Sequence, residues 1–185
     1  MRRLTRSALR AAARAGDVFV SCDPNLRLNL WPSAAEARRA ILQTIGEAHV
    51  VKVNEDELTF LTGRKSLPRA MKALAESTDA AILVTFGGRG AAYRWHKNEG
   101  EVAGFRVAAV DSTGAGDGFA AGFLSQLAAA KTPLSKLEPD ARTLHRWIRY
   151  ANAVGALATT KRGAIPSFPM PVEVNNLLRT QTQEL

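Results

Sequence analysis

The nine residues Asp111-Ser112-Thr113-Gly114-Ala115-Gly116-Asp117-Gly118-Phe119 constrain this chain more than any other stretch. They lie between an apolar run, Val107 to Val110, and a helix-like stretch, Phe119 to Ala130. A strand, a small-residue loop and a helix, in that order, make an anion site. Glycine lets backbone N–H groups approach a phosphate closely, and the first helical turn adds unpaired donors and the positive end of its dipole. Asp117 falls where that helix is expected to begin. A carboxylate there is placed to take a proton from a hydroxyl that attacks a phosphoryl group. Helix capping would account for Asp117 taken alone. It would not account for a second acid, Asp111, at the end of the expected strand.

The run DSTGAGDGFAAGF resembles the C-terminal signature of the PfkB, or ribokinase-like, sugar kinases. Its spacing, its two aspartates and the helix that follows make it far more specific than a lone glycine motif. The resemblance implies that Asp117 is the catalytic base on a sugar hydroxyl. It also implies that Gly114, Ala115, Gly116 and the Asp117 amide form the hole for the transferring phosphate.

Four further stretches carry the same resemblance. DPNLRLNLW, from Asp23 to Trp31, is similar to a segment of fructokinases and of 2-keto-3-deoxygluconate kinases, which implies a sugar-site role for Arg27. For Trp31 plain core packing is the favoured account. Asn54 and Glu57 match an N-x-x-E motif, implying that Glu57 holds Mg²⁺ through water and that Asn54 touches the nucleotide phosphates. A single acid is chemically adequate there, because Mg²⁺ keeps most of its waters. Asn54 is equally suited to cap the next helix. Thr85, Gly87 and Gly90 resemble a loop that lines the ATP site, and Asn152 and Gly155 resemble positions bordering the adenine. By the same resemblance, loop carbonyls between Lys161 and Ser167 would hold a monovalent cation such as K⁺ beside Asp111 and Thr113.

Composition narrows the classes. The formal net charge of +8 is scattered, with only four adjacent basic pairs, Arg2-Arg3, Arg38-Arg39, Arg64-Lys65 and Lys161-Arg162. No aromatic residues interleave with them as a nucleic-acid platform would require, so no nucleic-acid partner is expected. Apolar stretches are broken by charge before the ~18 residues that a membrane helix needs, so no membrane partner is expected either. Cys22 is the lone cysteine and has no internal partner, which fits a reducing, cytoplasmic location. Met1 to Gly16 is rich in arginine and free of acids, yet its alanine spacing and terminal glycine read as an ordinary helix. No GxxxxGK[ST] motif occurs.

The remaining pattern alternates strands and helices. Strands are expected over Val18–Cys22, His49–Val53 and Ala80–Phe86, with a hairpin from Ala91–His96 to Glu101–Ala103 around the turn Lys97 to Gly100. Helices are expected from Ser33 to about Glu47, from Asn54 to Gly63 with Leu58, Phe60 and Leu61 in the core, over Leu67–Glu76, and from Ala141 to about Thr160. None of His49, His96 and His145 has an evident partner, and all read as structural or solvated. The expected fold is α/β, a mainly parallel sheet flanked by helices on both faces, forming one truncated ribokinase-like domain over residues 1–185.

The resemblance runs from about Val18 to Pro169 and matches the C-terminal half of a family member. The N-terminal sugar-gripping strands, their aspartate and the β-lid have no counterpart. The exposed edge this implies points to a homo-oligomer. The functional expectation is ATP-dependent phosphorylation of a sugar hydroxyl, with fructose preferred and 2-keto-3-deoxygluconate second. A reading of another class is a non-catalytic nucleotide-binding remnant.

Overall fold

Buried apolar runs and amphipathic stretches alternate along the computed structural model, which describes residues 7–8, 11–12, 18–130, 132 and 137–181. The strands are β1 (Ser21–Cys22), β2 (Val50–Asn54), β3 (Ala81–Thr85), β4 (Gly90–Trp95) and β5 (Asn98–Ala103). The helices are α1 (Ala34–Ile45), α2 (Glu55–Thr62), α3 (Leu67–Ala75), α4 (Ala115–Ala129), α5 (Ala141–Ala158) and α6 (Pro171–Thr180). The helix expected over Met1 to Gly16 lies outside the described residues, except that 7–8 and 11–12 are helical.

The strands form one sheet in the order β1-β2-β3-β4-β5. β1 and β2 run parallel, with Ser21 opposite Val50 and Cys22 opposite Val51. Two helices separate β2 from β3, the kind of crossover a parallel pair needs. The links from β3 to β4 and from β4 to β5 are far too short for such a crossover, so these three strands form an antiparallel meander. The second turn is tighter than the sequence suggests: His96 adopts a φ of 52°, and β5 already begins at Asn98.

Two compact units can be described separately. The first runs up to Val84 and takes in Tyr93–Glu99. Its core holds Ile45, Val51, Val53, Leu61, Leu74 and Ile82, all nearly inaccessible. Ser33 caps α1 by accepting the Glu36 N–H, and Gly63 closes α2 at a φ of 68°, as the sequence signals indicate. Phe60 is half-buried where the sequence suggests a core position, and Cys22 of the two-residue β1 is half-buried as well.

The second unit comprises Thr85–Ala92, the stretch from Gly100 to Thr132 and the residues from Glu138 onward. Its centre is the packing of α4 on α5. Phe119, Phe123 and Leu127 of α4 are buried, as are Leu144, Ile148, Ala151 and Ala158 of α5. Phe123 meets Trp147 edge-on, with ring centroids 6.1 Å apart. Gly122 permits the close approach: a β-carbon there would sit 3.0 Å from the Ala151 Cα and from a Val154 methyl. A third helix, α6, packs Val174 against Phe105, Ala153 and Val154.

One expected strand is absent. Residues 104–110 are irregular, and Val110 is 60% exposed. The Val110 and Asp111 N–H groups donate instead to the Thr159 carbonyl, at 2.7 and 3.1 Å. The run therefore hangs from the C-terminal end of α5, and its alanines offer too little apolar surface to pull it into a ladder. Among the described residues no helix is long and apolar enough to cross a membrane.

Because the Gly122 contact is with backbone, Gly122→Val should destabilise the chain by about 1–3 kcal/mol, read as a lower urea midpoint. An unchanged midpoint would mean that α4 and α5 do not pack this closely.

Candidate functional site

The loop expected to hold an anion sits at the start of α4. Gly114 is the N-cap residue, at a φ of 81° that suits glycine, and its carbonyl accepts the Gly118 N–H at 2.8 Å. A β-carbon at Gly114 would also lie 2.9 Å from that of Ala164. α4 therefore begins four residues earlier than the apolar pattern suggests, which places Asp117 inside its first turn. Asp117 is exposed, and the cap position belongs to Gly114, so capping does not occupy the Asp117 carboxylate.

Asp111 has a role that spacing could not reveal. Its Oδ1 accepts from the Thr113 N–H at 2.9 Å and from the Thr113 hydroxyl at 2.7 Å. Its Oδ2 accepts from the Gly163 N–H at 2.9 Å. The carboxylate thus ties the anion loop to the turn after α5. These bonds, that from Gly163 foremost, hold the Asp111 carboxyl down at about 2.

Behind the loop lies a cavity of about 500 Å³, within the range of small-molecule sites. Five of the residues expected to meet a nucleotide line it: Thr85, Gly87, Gly90, Asn152 and Gly155. Ala115 and Gly116 of the anion loop line it as well, whereas Gly114, Asp117, Asp111 and Thr113 do not. Gly90 is required by contact, since a β-carbon would overlap the Val102 carbonyl. Asn152 is 7% exposed and donates both amide protons, to the carbonyls of Val102 at 3.0 Å and Ala103 at 3.1 Å. It braces the end of β5 while lining the cavity. Gly155 brings α5 close to α4, where a β-carbon would be 3.1 Å from the Ala115 carbonyl oxygen. Phe105 and Thr159 also line the cavity and escaped the sequence reading, because neither belongs to a periodic pattern.

The remaining candidates belong to the first unit. Asn54 and Glu57 form a reciprocal cap on α2: the Glu57 N–H donates to Asn54 Oδ1 at 2.8 Å, and the Asn54 N–H to Glu57 Oε2 at 2.9 Å. Glu57 is 5% exposed, and its other oxygen accepts the Leu26 N–H at 2.7 Å. Glu57 therefore fastens the Asp23–Trp31 segment to α2. Close by in sequence, Asp23 Oδ2 pairs with Lys52 Nζ at 2.9 Å, and Asp23 Oδ1 is buried without a hydrogen-bond partner. Neither Asp23 nor Lys52 stood out from sequence alone. Arg27 is exposed and donates to the neighbouring Leu26 carbonyl at 3.1 Å, while Trp31 is half-buried. Among the described residues no group of three or more His, Cys, Asp or Glu side chains could hold a metal.

The histidines take structural places. His49 Nδ1 accepts the Val20 N–H at 2.9 Å. His145 is half-buried rather than solvated, and burial followed by the charge of Arg149 lowers its pKa. Burial pushes the Cys22 thiol up to about 11, so it is not a nucleophile near neutral pH.

Comparison with known proteins adds a family and a fold. The family described as pfkB family carbohydrate kinase matches residues 2–171. A probable fructokinase-3 from Arabidopsis thaliana is 42% identical over 175 residues, which are 94% of this chain and 49% of that protein. The structure of a fructokinase from Xylella fastidiosa with bound ATP superposes with a TM-score of 0.88 at 31% identity, over 98% of this chain and 58% of that one. A fructokinase from Vibrio cholerae O395, with fructose, ADP and calcium ion bound, gives 0.84 at 34% identity, over 94% and 55%. The chain spans about half the length of the relatives it matches.

The Asp111 brace has a pH signature. Its carboxyl titrates at about 2 when folded against an ordinary 3.8, so the folded state is favoured by the ionised form. That stabilisation is complete above the ordinary value and is lost as pH falls through the folded one. Asp111→Asn cannot accept from Gly163 in the same way and does not titrate. The gap in urea midpoint between wild type and Asp111→Asn should close as pH drops from 4 toward 2. A gap that stays constant across that window would remove the brace.

Proposed function

This chain belongs to the pfkB family of carbohydrate kinases, and on that premise we propose that it serves ATP-dependent phosphorylation of a sugar hydroxyl, with fructose as the first candidate substrate. The observation that carries the reading is the cavity of about 500 Å³ whose wall includes the first residues of a glycine-started helix. Glycine-lined surfaces admit a flat base and a ribose, and the helix start favours phosphate.

In this reading the exposed Asp117 accepts the proton of the attacking hydroxyl as its oxygen bonds to the γ-phosphorus and the bond to the ADP leaving oxygen breaks. The amides of Gly114 to Asp117 stabilise the charge on the transferring group without having to reorganise. Thr85, Gly87, Gly90, Asn152 and Gly155 bind the nucleoside, and Arg27 binds the sugar. Mg²⁺ would neutralise phosphate charge, with Glu57 acting through water and Asn54 meeting phosphate. The donor set fits that role: each Glu57 oxygen carries one backbone hydrogen bond and keeps a lone pair for water, and Mg²⁺ needs few protein ligands. Asp111, Thr113 and the carbonyls of the turn after α5 would take K⁺. Exposed Ile165, Met170 and Val172, together with Leu30, support self-association as part of the reading.

The test is calorimetric titration of the chain with Mg·ATP, with and without fructose, followed by assay of ADP release. Turnover with fructose is the expected result, and Asp117→Asn should lower kcat by roughly 10²- to 10⁴-fold while ATP still binds. Binding without turnover would favour a nucleotide-binding remnant. Absence of ATP binding would overturn the reading.

A further inference from the structure

The last described helix reaches the cavity wall through two side chains that no motif contains. Phe105 and Arg106 both line the cavity, in a segment that is part of no strand or helix. The Gln181 carboxamide grips that segment from both sides: the Arg106 N–H donates to Gln181 Oε1 at 3.0 Å, and Gln181 Nε2 donates to the Arg106 carbonyl at 2.8 Å. This reciprocal pair imitates a strand neighbour for one residue. Arg149 of α5 fixes the other end of the contact. Its Nη2 donates to the carbonyls of Leu178 at 2.9 Å and Gln181 at 2.7 Å, satisfying acceptors that the end of α6 leaves open. The same guanidinium lies 5.4 Å from the centroid of the Phe105 ring, and Phe105 is 4% exposed against Val174 of α6.

We propose that Gln181 and Arg149 are positioning residues for nucleotide binding, acting by holding Phe105 and Arg106 where they wall the cavity. Neither residue lines the cavity, so their influence passes through the segment they grip. Arg149 sets the place of Gln181, and Gln181 sets the place of the Arg106 backbone. Free of these contacts, a short irregular segment would sample other backbone conformations, and ligand would have to restore order on binding at a cost in affinity. The proposal rests on the reading of this cavity as a nucleotide site.

The experiment compares wild type, Gln181→Ala and Asn175→Ala, the last altering an exposed residue of the same helix. Mg·ATP affinity is measured by calorimetry, thermal midpoint by scanning, and amide exchange over Phe105–Val107 by mass spectrometry. Gln181→Ala should raise the ATP Kd roughly three- to tenfold, the effect of losing about one net hydrogen bond of order. It should also speed exchange at the Arg106 amide several-fold, with a thermal midpoint close to that of Asn175→Ala. Gln181→Glu, which keeps the acceptor oxygen but not the donor, should fall between the two in Kd. Equal Kd for wild type and Gln181→Ala would overturn the proposal and leave the nucleotide reading intact. An equal loss of affinity in Asn175→Ala would also overturn it, by showing a general loosening of α6. Failure of wild type to bind ATP would overturn the nucleotide reading and this proposal with it.

Discussion

Close packing of α4 on α5 is the constraint on which the second unit depends. Small residues line the contact: Gly122 faces the Ala151 backbone, Gly118 faces Ala158, and Gly155 faces the Ala115 carbonyl. Backbones this close leave little freedom in the relative placement of the helices. The start of α4 carries the anion loop, and the end of α5 carries Thr159, whose carbonyl holds Val110 and Asp111. Fixing one helix against the other therefore fixes the loop between the incoming chain and α4.

A second layer of ties sharpens that placement. Asp111 joins the loop to Gly163, and Gly114 lies against Ala164, so the turn after α5 is held from two directions. Asn152 joins the same helix to the end of β5. These are charge-assisted or doubly satisfied bonds between groups distant in sequence, and each is local enough to be broken singly. The first unit uses the same economy, since one buried carboxylate, Glu57, caps α2 and holds Leu26 at once.

Local signals in the sequence were readable where a single segment carries its own information. The Ser33 cap, the Asn54 cap, the Gly63 stop and the four-residue spacing of Phe119, Phe123 and Leu127 all follow the sequence signals. The absence of a strand over Val107 to Val110 was illegible, because the run bonds to the Thr159 carbonyl rather than to a neighbouring strand. The brace made by Asp111 was hidden for the same reason: its third donor, Gly163, lies 52 positions away. Helix α6 was not anticipated either. Pro171 occupies its first turn, where it costs no hydrogen bond, and Glu173 caps the turn by accepting the Met170 N–H at 2.7 Å.

The candidate residues differ in how much of the fold each depends on. Every described residue that lines the cavity lies between Thr85 and Thr159 and within one unit, so its shape follows from the α4 and α5 packing, the β5 end and the segment held by Gln181. Arg27, by contrast, is exposed and among the described residues its guanidinium is bonded to its own neighbour alone. Phosphoryl transfer needs both reactants held in line, whereas nucleotide binding needs only one cavity. In the proposed reading, binding of ATP is accordingly the step most directly tied to the helix pair. A change that separates α4 from α5 should abolish it before the sugar contacts matter.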